Sequence, residues 1–373
     1  MKITTNKSEF LKGLTLVQGV VEKKKTLPIL SNVLIEANKE DQQITLTATD
    51  LEIGIKTNFK SEILKEGKIT ISAKKIFEIV KELTEEIIDI EVKDNNWIEI
   101  KNGKAKFNIV GLSAEEFPLI NDKNTNDDLE LKTEVLKEII DKTFYAISHD
   151  ESKFNLNGIY LHNINSEIGN YLRFVATDGH RLALKQIKNE DNFEIRNKGI
   201  IFPKKGLSEI RKITDTDEKS IFISIVDNNA IFKLNNTTLV MRLIDGDFPD
   251  YNRVIPDFSE KYCLVENDKL LHSLRRISLL ANEKSKGINI EFINNEIKIS
   301  SSNPEYGDAV ESIKTTYDGN EMKIGFNSKY LLDVISNIDT KEIKLHIKDN
   351  MSPCLIVPSD NNDNLAVIMP MRI

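Results

Sequence analysis

The sequence predicts an α+β protein made of three similar modules in tandem, each with two helices laid on one side of antiparallel sheet, and three observations lead there. The stretches VKDNNWIEI (92–100), IVDNNAIFKL (225–234) and IKDNMSPCLI (347–356) follow one pattern. Ahead of them, ITISAKKIFEIVKEL from Ile69, IIFPKKGLSEIRKI from Ile200 and KIGFNSKYLLDVISNI from Lys323 each run a strand into an amphipathic helix. The copies close on Pro118, Pro249 and Pro370. Self-similarity at a fixed long period means repeated structural units. Each copy here is large enough to be a domain, so the reading is three domains rather than a solenoid of short repeats.

The modules are expected at 1–124, 125–257 and 258–373. The joins NDKNTNDD (121–128) and PDFSEK (256–261) are short and polar, so the modules are expected to pack side by side rather than swing freely.

Within a module the first helix carries its apolar residues on one stripe, as in Phe10, Leu14, Val17 and Val21, or Leu136, Ile139, Ile140 and Phe144. The second helix repeats this with Ile76, Ile79, Val80 and Leu83, then Leu207, Ile210 and Ile213, then Leu331, Leu332, Ile335 and Ile338. Pro203 is placed in the first turn of its helix, where a missing N–H costs nothing. Runs such as ITLTAT (44–49), IFISIV (221–226) and INIEF (288–292) are alternating or β-branched and read as strands. The DNN and NNT pairs between such runs read as hairpin turns.

Sheets on the outside of such modules leave edge strands at the two chain ends, and edges invite pairing with another subunit. A head-to-tail contact between the first and third modules closes a ring or runs on as a filament. Two chains closing would give six modules, with sheets outside and twelve helices lining the lumen.

With 373 residues and 40% hydrophobic content the chain can bury real cores. No stretch approaches the roughly 20 apolar residues of a membrane span, and the MKITTNKSEF start lacks a leader's apolar core, so a cytoplasmic protein is expected. Cys263 and Cys354 have no Cys or His at metal spacing and read as packed, reduced thiols. The net charge of −8 argues against coating nucleic acid with the whole surface. The predicted helices nevertheless carry a net positive charge, and the acid lies in strands and loops. Helices sharing one face would give a weakly basic track inside an acidic shell.

No phosphate-binding loop, dinucleotide fingerprint, HExxH, CxxC or GxSxG motif occurs. The most chemical-looking segment is VATDGHRLAL (175–184). A hydrolase reading would use Asp178, His180 and Arg181 as acid, base and anion clamp, with Asp245 and Asp247 as a metal pair. A structural turn is the better reading, because Asp and Gly favour turns and the first module has TDLEIGI (49–55) at the matching place without a histidine. A monomeric peptide-binding adaptor is the other alternative. The apolar ending AVIMPMRI (366–373) reads as a last strand whose methionines, flexible and polarizable, suit a groove for partner peptides.

The segments TLPILSN (26–32), FNLNG (154–158), TDGHRLAL (177–184), DGDFPDYNRVIP (245–256), NEKSKG (282–287) and VIMPMRI (367–373) fall in order along the whole chain. Together they resemble the bacterial DNA polymerase III beta subunit family, the beta sliding clamps or processivity factors. The resemblance implies the DNA clamp fold and a non-catalytic head-to-tail homodimer that encircles duplex DNA without sequence preference. It needs no cofactor or metal. Its implied partners are the replicative polymerase catalytic subunit, an ATP-dependent clamp loader, and other repair or translesion polymerases and ligase-type factors, with no membrane involved.

Carried over by motif, the partner-peptide pocket would comprise Leu156, Thr177, Gly179, His180, Arg181, Leu182, Pro249, Val254, Val367, Met369, Pro370, Met371 and Arg372. DNA contacts would fall on Lys24, Lys204, Lys205 and Arg253. The dimer contact would set Phe107 and Ile109 against Leu279 and Leu280. The segment DESKFN (150–155) departs from the family pattern at Asp150 and Asn155, which leaves Lys153 as that loop's DNA contact.

Overall fold

In a computed structural model, the structure describes residues 1–22, 27–120, 122, 129–167, 169–190, 192–195, 198–258 and 261–373. Six times a strand runs without a linker into a helix. The pairs are Lys2–Asn6 with α1 (Lys7–Gln18), Gly67–Ser72 with α2 (Ala73–Glu82) and Leu129–Lys132 with α3 (Thr133–Thr143). They continue with Ile200–Pro203 and α4 (Lys204–Ile213), Tyr262–Glu266 and α5 (Asn267–Ile277), and Met322–Asn327 and α6 (Ser328–Ile335).

The junctions have local causes. The Asn6 side chain accepts the Ser8 N–H at 2.8 Å, Ser72 accepts from Lys75, and Asn327 accepts the Lys329 N–H at 2.9 Å. Each satisfies a backbone donor that the first helical turn leaves open. Pro203 falls one residue earlier than its sequence suggests. It is the last strand residue, opposite Gly158, and Lys204 opens the helix. A proline without N–H is tolerated at either place because neither requires a ladder donor.

The helix stripes are the ones the spacing predicts. Phe10, Leu14 and Val17, then Ile76 and Val80, then Leu207, Ile210 and Ile213, and then Leu331 and Ile335 are all buried. Ile79, Phe144 and Leu332 depart from their stripes in being only partly buried, Val21 falls past the end of α1, and Ile79 faces an open groove.

Two compact units organise the chain, and they do not coincide with the three sequence repeats. One comprises residues 1–137 and 205–243, the other 138–204 and 244–373. In the first unit an eight-stranded antiparallel sheet joins strands of the first and second repeats through Thr237–Arg242, which pairs with Ile53–Lys60. Thr57 and Thr237 share a buried hydroxyl contact of 2.9 Å across that seam. A five-stranded sheet in the same unit ends on the edge strand Ala105–Val110.

In the second unit another eight-stranded sheet joins the second and third repeats. Its seam is Arg181–Lys188 against Asn364–Ile368, with Leu182 opposite Val367. A four-stranded sheet ends on the edge strand Gly307–Lys314. Between these sheets lies a core in which Leu270 and Leu274 of α5 and Leu331 and Val334 of α6 meet Phe292 and Phe326. Neighbouring repeats are therefore joined by continuous hydrogen-bonded sheet, a closer union than packing side by side.

Candidate peptide-docking site

The seam of the second unit builds a cavity of about 190 Å³ lined by Leu156, Thr177, Gly179, Arg181, Leu182, Pro249, Asp250, Tyr251, Val254, Val367 and Met369. Its floor is Leu182 beside Val367, both buried on the paired strands. That floor rests on a small core of Val175, Leu184, Leu355 and Leu365. Exposed Val254 and half-exposed Met369 stand at its rim.

The turn 177–181 that forms one wall is fully bonded. Thr177 Oγ1 donates to the Arg181 carbonyl at 2.6 Å and accepts the Gly179 N–H at 3.1 Å. One Asp178 oxygen accepts the N–H groups of His180 and Arg181 at 2.9 and 3.1 Å. Gly179 sits at φ +92°, a conformation that glycine adopts without strain.

The buried Arg181 guanidinium is held from several sides. It donates to Asp178 at 3.0 Å, to Asp333 at 2.6 Å and to the Tyr145 carbonyl, and it lies 4.5 Å from the Tyr330 ring centre. Burial raises the Tyr145 phenol above its ordinary range, so it stays neutral beside that cation. Asp178 and Arg181 are thus committed to shaping the wall, which leaves no free acid and clamp for hydrolysis. Asp247 offers its backbone carbonyl to Asn155 at 2.9 Å. No group of three His, Cys, Asp or Glu side chains that could hold a metal occurs among the described residues. Burial pushes the Cys263 thiol up to about 11 and Cys354 to about 12, as suits inert packed thiols.

Of the sequence-derived pocket residues, nine line this cavity. Four stand outside it. His180 uses its carbonyl to accept the Met369 N–H at 2.9 Å, and its ring stacks 6.4 Å from Tyr330. Pro370, Met371 and Arg372 lie past the cavity because the chain end turns aside, with the Met371 N–H bonding the Gly325 carbonyl at 2.8 Å. Asp250 and Tyr251 were missed. The aromatic pair Phe248 and Tyr251 flanking Pro249 is the signal that could have found the tyrosine.

The remaining candidate residues are dispersed. Lys24 lies outside the described residues. Lys204 Nζ reaches His149 Nε2 at 2.8 Å, and that cation, together with burial, lowers the His149 pKa. Lys205 pairs with the buried Asp50, and Arg253 pairs with Asp250 at 2.9 Å on the surface. Lys153 is exposed, and its Nζ lies beside Gly179.

Phe107 and Ile109 are half-buried on the edge strand Ala105–Val110. Phe107 lines an open groove with Ile79 and Leu83, which the sequence reading did not include. Leu279 is 81% exposed on a single turn after α5, with Leu280 half-buried beside it.

Repeated α+β domains, free sheet edges and an apolar cavity ringed by committed polar groups define a binding protein. Comparison with known proteins makes this specific. Residues 1–121, 130–250 and 252–372 match the N-terminal, central and C-terminal domains of the DNA polymerase III beta subunit. The chain is 35% identical to the beta sliding clamp of Pseudomonas aeruginosa and 34% to that of Caulobacter vibrioides, over the full length of both partners in each comparison. The crystal structure of the Bartonella birtlesii sliding clamp bound to griselimycin superposes with TM-score 0.94 at 32% identity, and a Pseudomonas aeruginosa clamp structure with TM-score 0.92 at 34%, each covering all of both chains. The chain belongs to the DNA polymerase III beta subunit family.

Proposed function

We propose that this chain is a DNA sliding clamp: a head-to-tail homodimer that encircles duplex DNA and tethers the replicative polymerase for processive synthesis. It is a non-catalytic accessory subunit. Full-length agreement with the family in all three domains is the observation that carries the reading. The domains are taken as 1–124, 125–257 and 258–373. No helix among the described residues is long and apolar enough to cross a membrane, and the proposed place of work is the cytoplasm.

The exposed Leu279 of one copy, with Leu280, fits the groove of Ile79, Leu83 and Phe107 on the next, while Ile109 extends the contact along the sheet edge. Two free edge strands, one in each unit, support that reading. Charging Leu279 and Leu280 is expected to give monomers by light scattering. A surviving dimer overturns the interface.

Lys24, Lys153, Lys204, Lys205 and Arg253 supply sequence-independent attraction to phosphates. The ion pair at Arg253 is a surface pair of small net strength, so the side chain can exchange partners while DNA slides. The cavity takes short apolar peptide anchors from the polymerase, the clamp loader, and other repair or translesion polymerases and ligase-type factors.

The test is loading onto a nicked circular plasmid by a clamp loader with ATP. Retention in high salt, and loss once the plasmid is cut, is the expected outcome. Equal retention on cut and circular DNA would mean ordinary adhesion and would overturn the ring.

A further inference from the structure

Beside the peptide cavity lies a part-buried polar and aromatic cluster that the docking reading leaves unused. Tyr251 lines the cavity, yet its hydroxyl meets residues outside that lining, with His162 Nε2 2.7 Å from it. Arg173 Nη1 reaches the same hydroxyl at 3.3 Å. Arg173 is fixed in turn by Gln186, whose Oε1 accepts from Nη2 at 2.8 Å and from Nε at 3.2 Å, and Gln186 donates to Asp363 at 3.0 Å. The rings form a box. Tyr160 stacks on Phe248 at 4.7 Å and on His162 at 4.9 Å, and His162 meets Tyr251 edge-on at 5.7 Å.

The proton placement follows from chemistry. A guanidinium can only donate, so the Tyr251 oxygen accepts from Arg173, and the arrangement that also uses the Tyr251 proton within the cluster sends it to His162 Nε2. That requires a neutral imidazole with its proton on Nδ1. A protonated His162 would leave the Tyr251 hydroxyl facing two donors and would set a second cation beside Arg173.

We propose that His162 is a positioning residue for peptide docking, holding Tyr251 in place as the cavity wall only while its imidazole is neutral, so that docking weakens in acid. The inference rests on the reading of the cavity as a peptide site. Burial first and Arg173 second lower the His162 pKa, while a hydrogen bond with the Asn163 backbone acts the other way. Burial also raises the Tyr251 phenol, so it remains a donor. The groups facing the imidazole are Arg173, Tyr160 and Tyr251, with Asp247 acting on Tyr160 and Asp250 on Tyr251. Because the folded protein disfavours the charged imidazole, the penalty is absent at high pH and grows as pH falls through the histidine range.

The experiment is a fluorescence-anisotropy titration of the full chain. The probe is a fluorescein-labelled peptide with one aliphatic and one aromatic anchor residue, used at about pH 8 and about pH 5, the lower value set beneath the ordinary histidine range because the folded protein lowers the His162 pKa. At the higher pH, His162→Leu and Tyr251→Phe are each expected to weaken binding roughly three- to tenfold, the range of one buried hydrogen bond. The double variant should be no weaker than the worse single one, because both remove the same bond. His162→Gln can still accept the tyrosine proton but cannot titrate. It should bind within about twofold of the parent and lose the acid weakening that the parent shows. Every other histidine is present in each variant, so the comparison isolates His162. Additive single effects, or acid weakening that survives in His162→Gln, overturn the proposal. A parent that does not bind the peptide, or binds it unaffected by Met369→Ala, overturns the pocket itself. Binding that is sensitive at Met369 but indifferent to His162→Leu overturns only the positioning role.

Discussion

The turn at 49–53 and the turn at 177–181 are the same device with different outcomes. In both, a threonine hydroxyl donates to the carbonyl four residues on, at 2.8 Å for Thr49 and 2.6 Å for Thr177. In both, an aspartate accepts two successive N–H groups, at 3.0 and 2.7 Å for Asp50 and 2.9 and 3.1 Å for Asp178. The residue after it takes positive φ, +77° at Leu51 and +92° at Gly179. Beyond the turn they part. In the first repeat Gly54 leaves room for the chain's own Ile120, whose Cδ1 lies 2.6 Å from where a Cβ on that glycine would be. In the second repeat Leu182 stands at the matching position and Tyr251 at the position of Ile120, and a cavity remains between them. The repeat thus supplies one scaffold twice. Two side chains decide whether its groove is filled from within or left open for a partner.

The largest expected effect tests what fixes the open version. Arg181→Leu strips three acceptors of their buried cation, and a loss of about 3 kcal/mol is expected, read as a clear fall in melting temperature together with lost peptide binding. An unchanged melt would show that the wall stands without the guanidinium. Next, Gly54→Leu writes the second repeat's residue into the first and should expel Ile120, costing about 2 kcal/mol by overpacking. Ile120→Ala in the same chain should recover part of that loss in the melt.

Met369→Ala, by contrast, should leave the melt almost unchanged and weaken peptide binding about tenfold, a loss near 1.4 kcal/mol. An unchanged titration would move the docking site elsewhere. The smallest effects have opposite signs. Gly179→Ala places a side chain at φ +92° and should cost about 1 kcal/mol, whereas Leu51→Gly relieves an exposed leucine at φ +77° and should gain about 0.5 kcal/mol. Equal shifts in the two melts would mean that the turns are not held alike.

Much of this was legible beforehand because it is local. Strand runs entering amphipathic helices and DNN turns depend on residues a few positions apart. The hairpin at Asp94–Asn96 shows it, with Asn95 and Asn96 both at positive φ. The third repeat's Asp349 sits in a longer hairpin loop between Glu342–His346 and Cys354–Pro358, where it accepts the N–H groups of Met351 and Ser352. The family resemblance placed Met371 and Arg372 in the pocket, and the bond from Met371 to Gly325 took the chain end elsewhere.

Through its resemblance to the family the sequence supplied most of the residues around one groove, and by itself it determined the α+β repeats, the six helices with most of their buried stripes and the turn at 177–181. These follow from side-chain period and short-range hydrogen bonding. Only the tertiary structure decided that neighbouring repeats share continuous sheets, that Ile120 closes one groove while Tyr251 walls the other, and that His162 and Arg173 stand behind that wall. Tyr251 lies 89 residues from His162 and 78 from Arg173 in the chain. Such pairings are set by strand register and packing across the whole domain, and no local pattern encodes them.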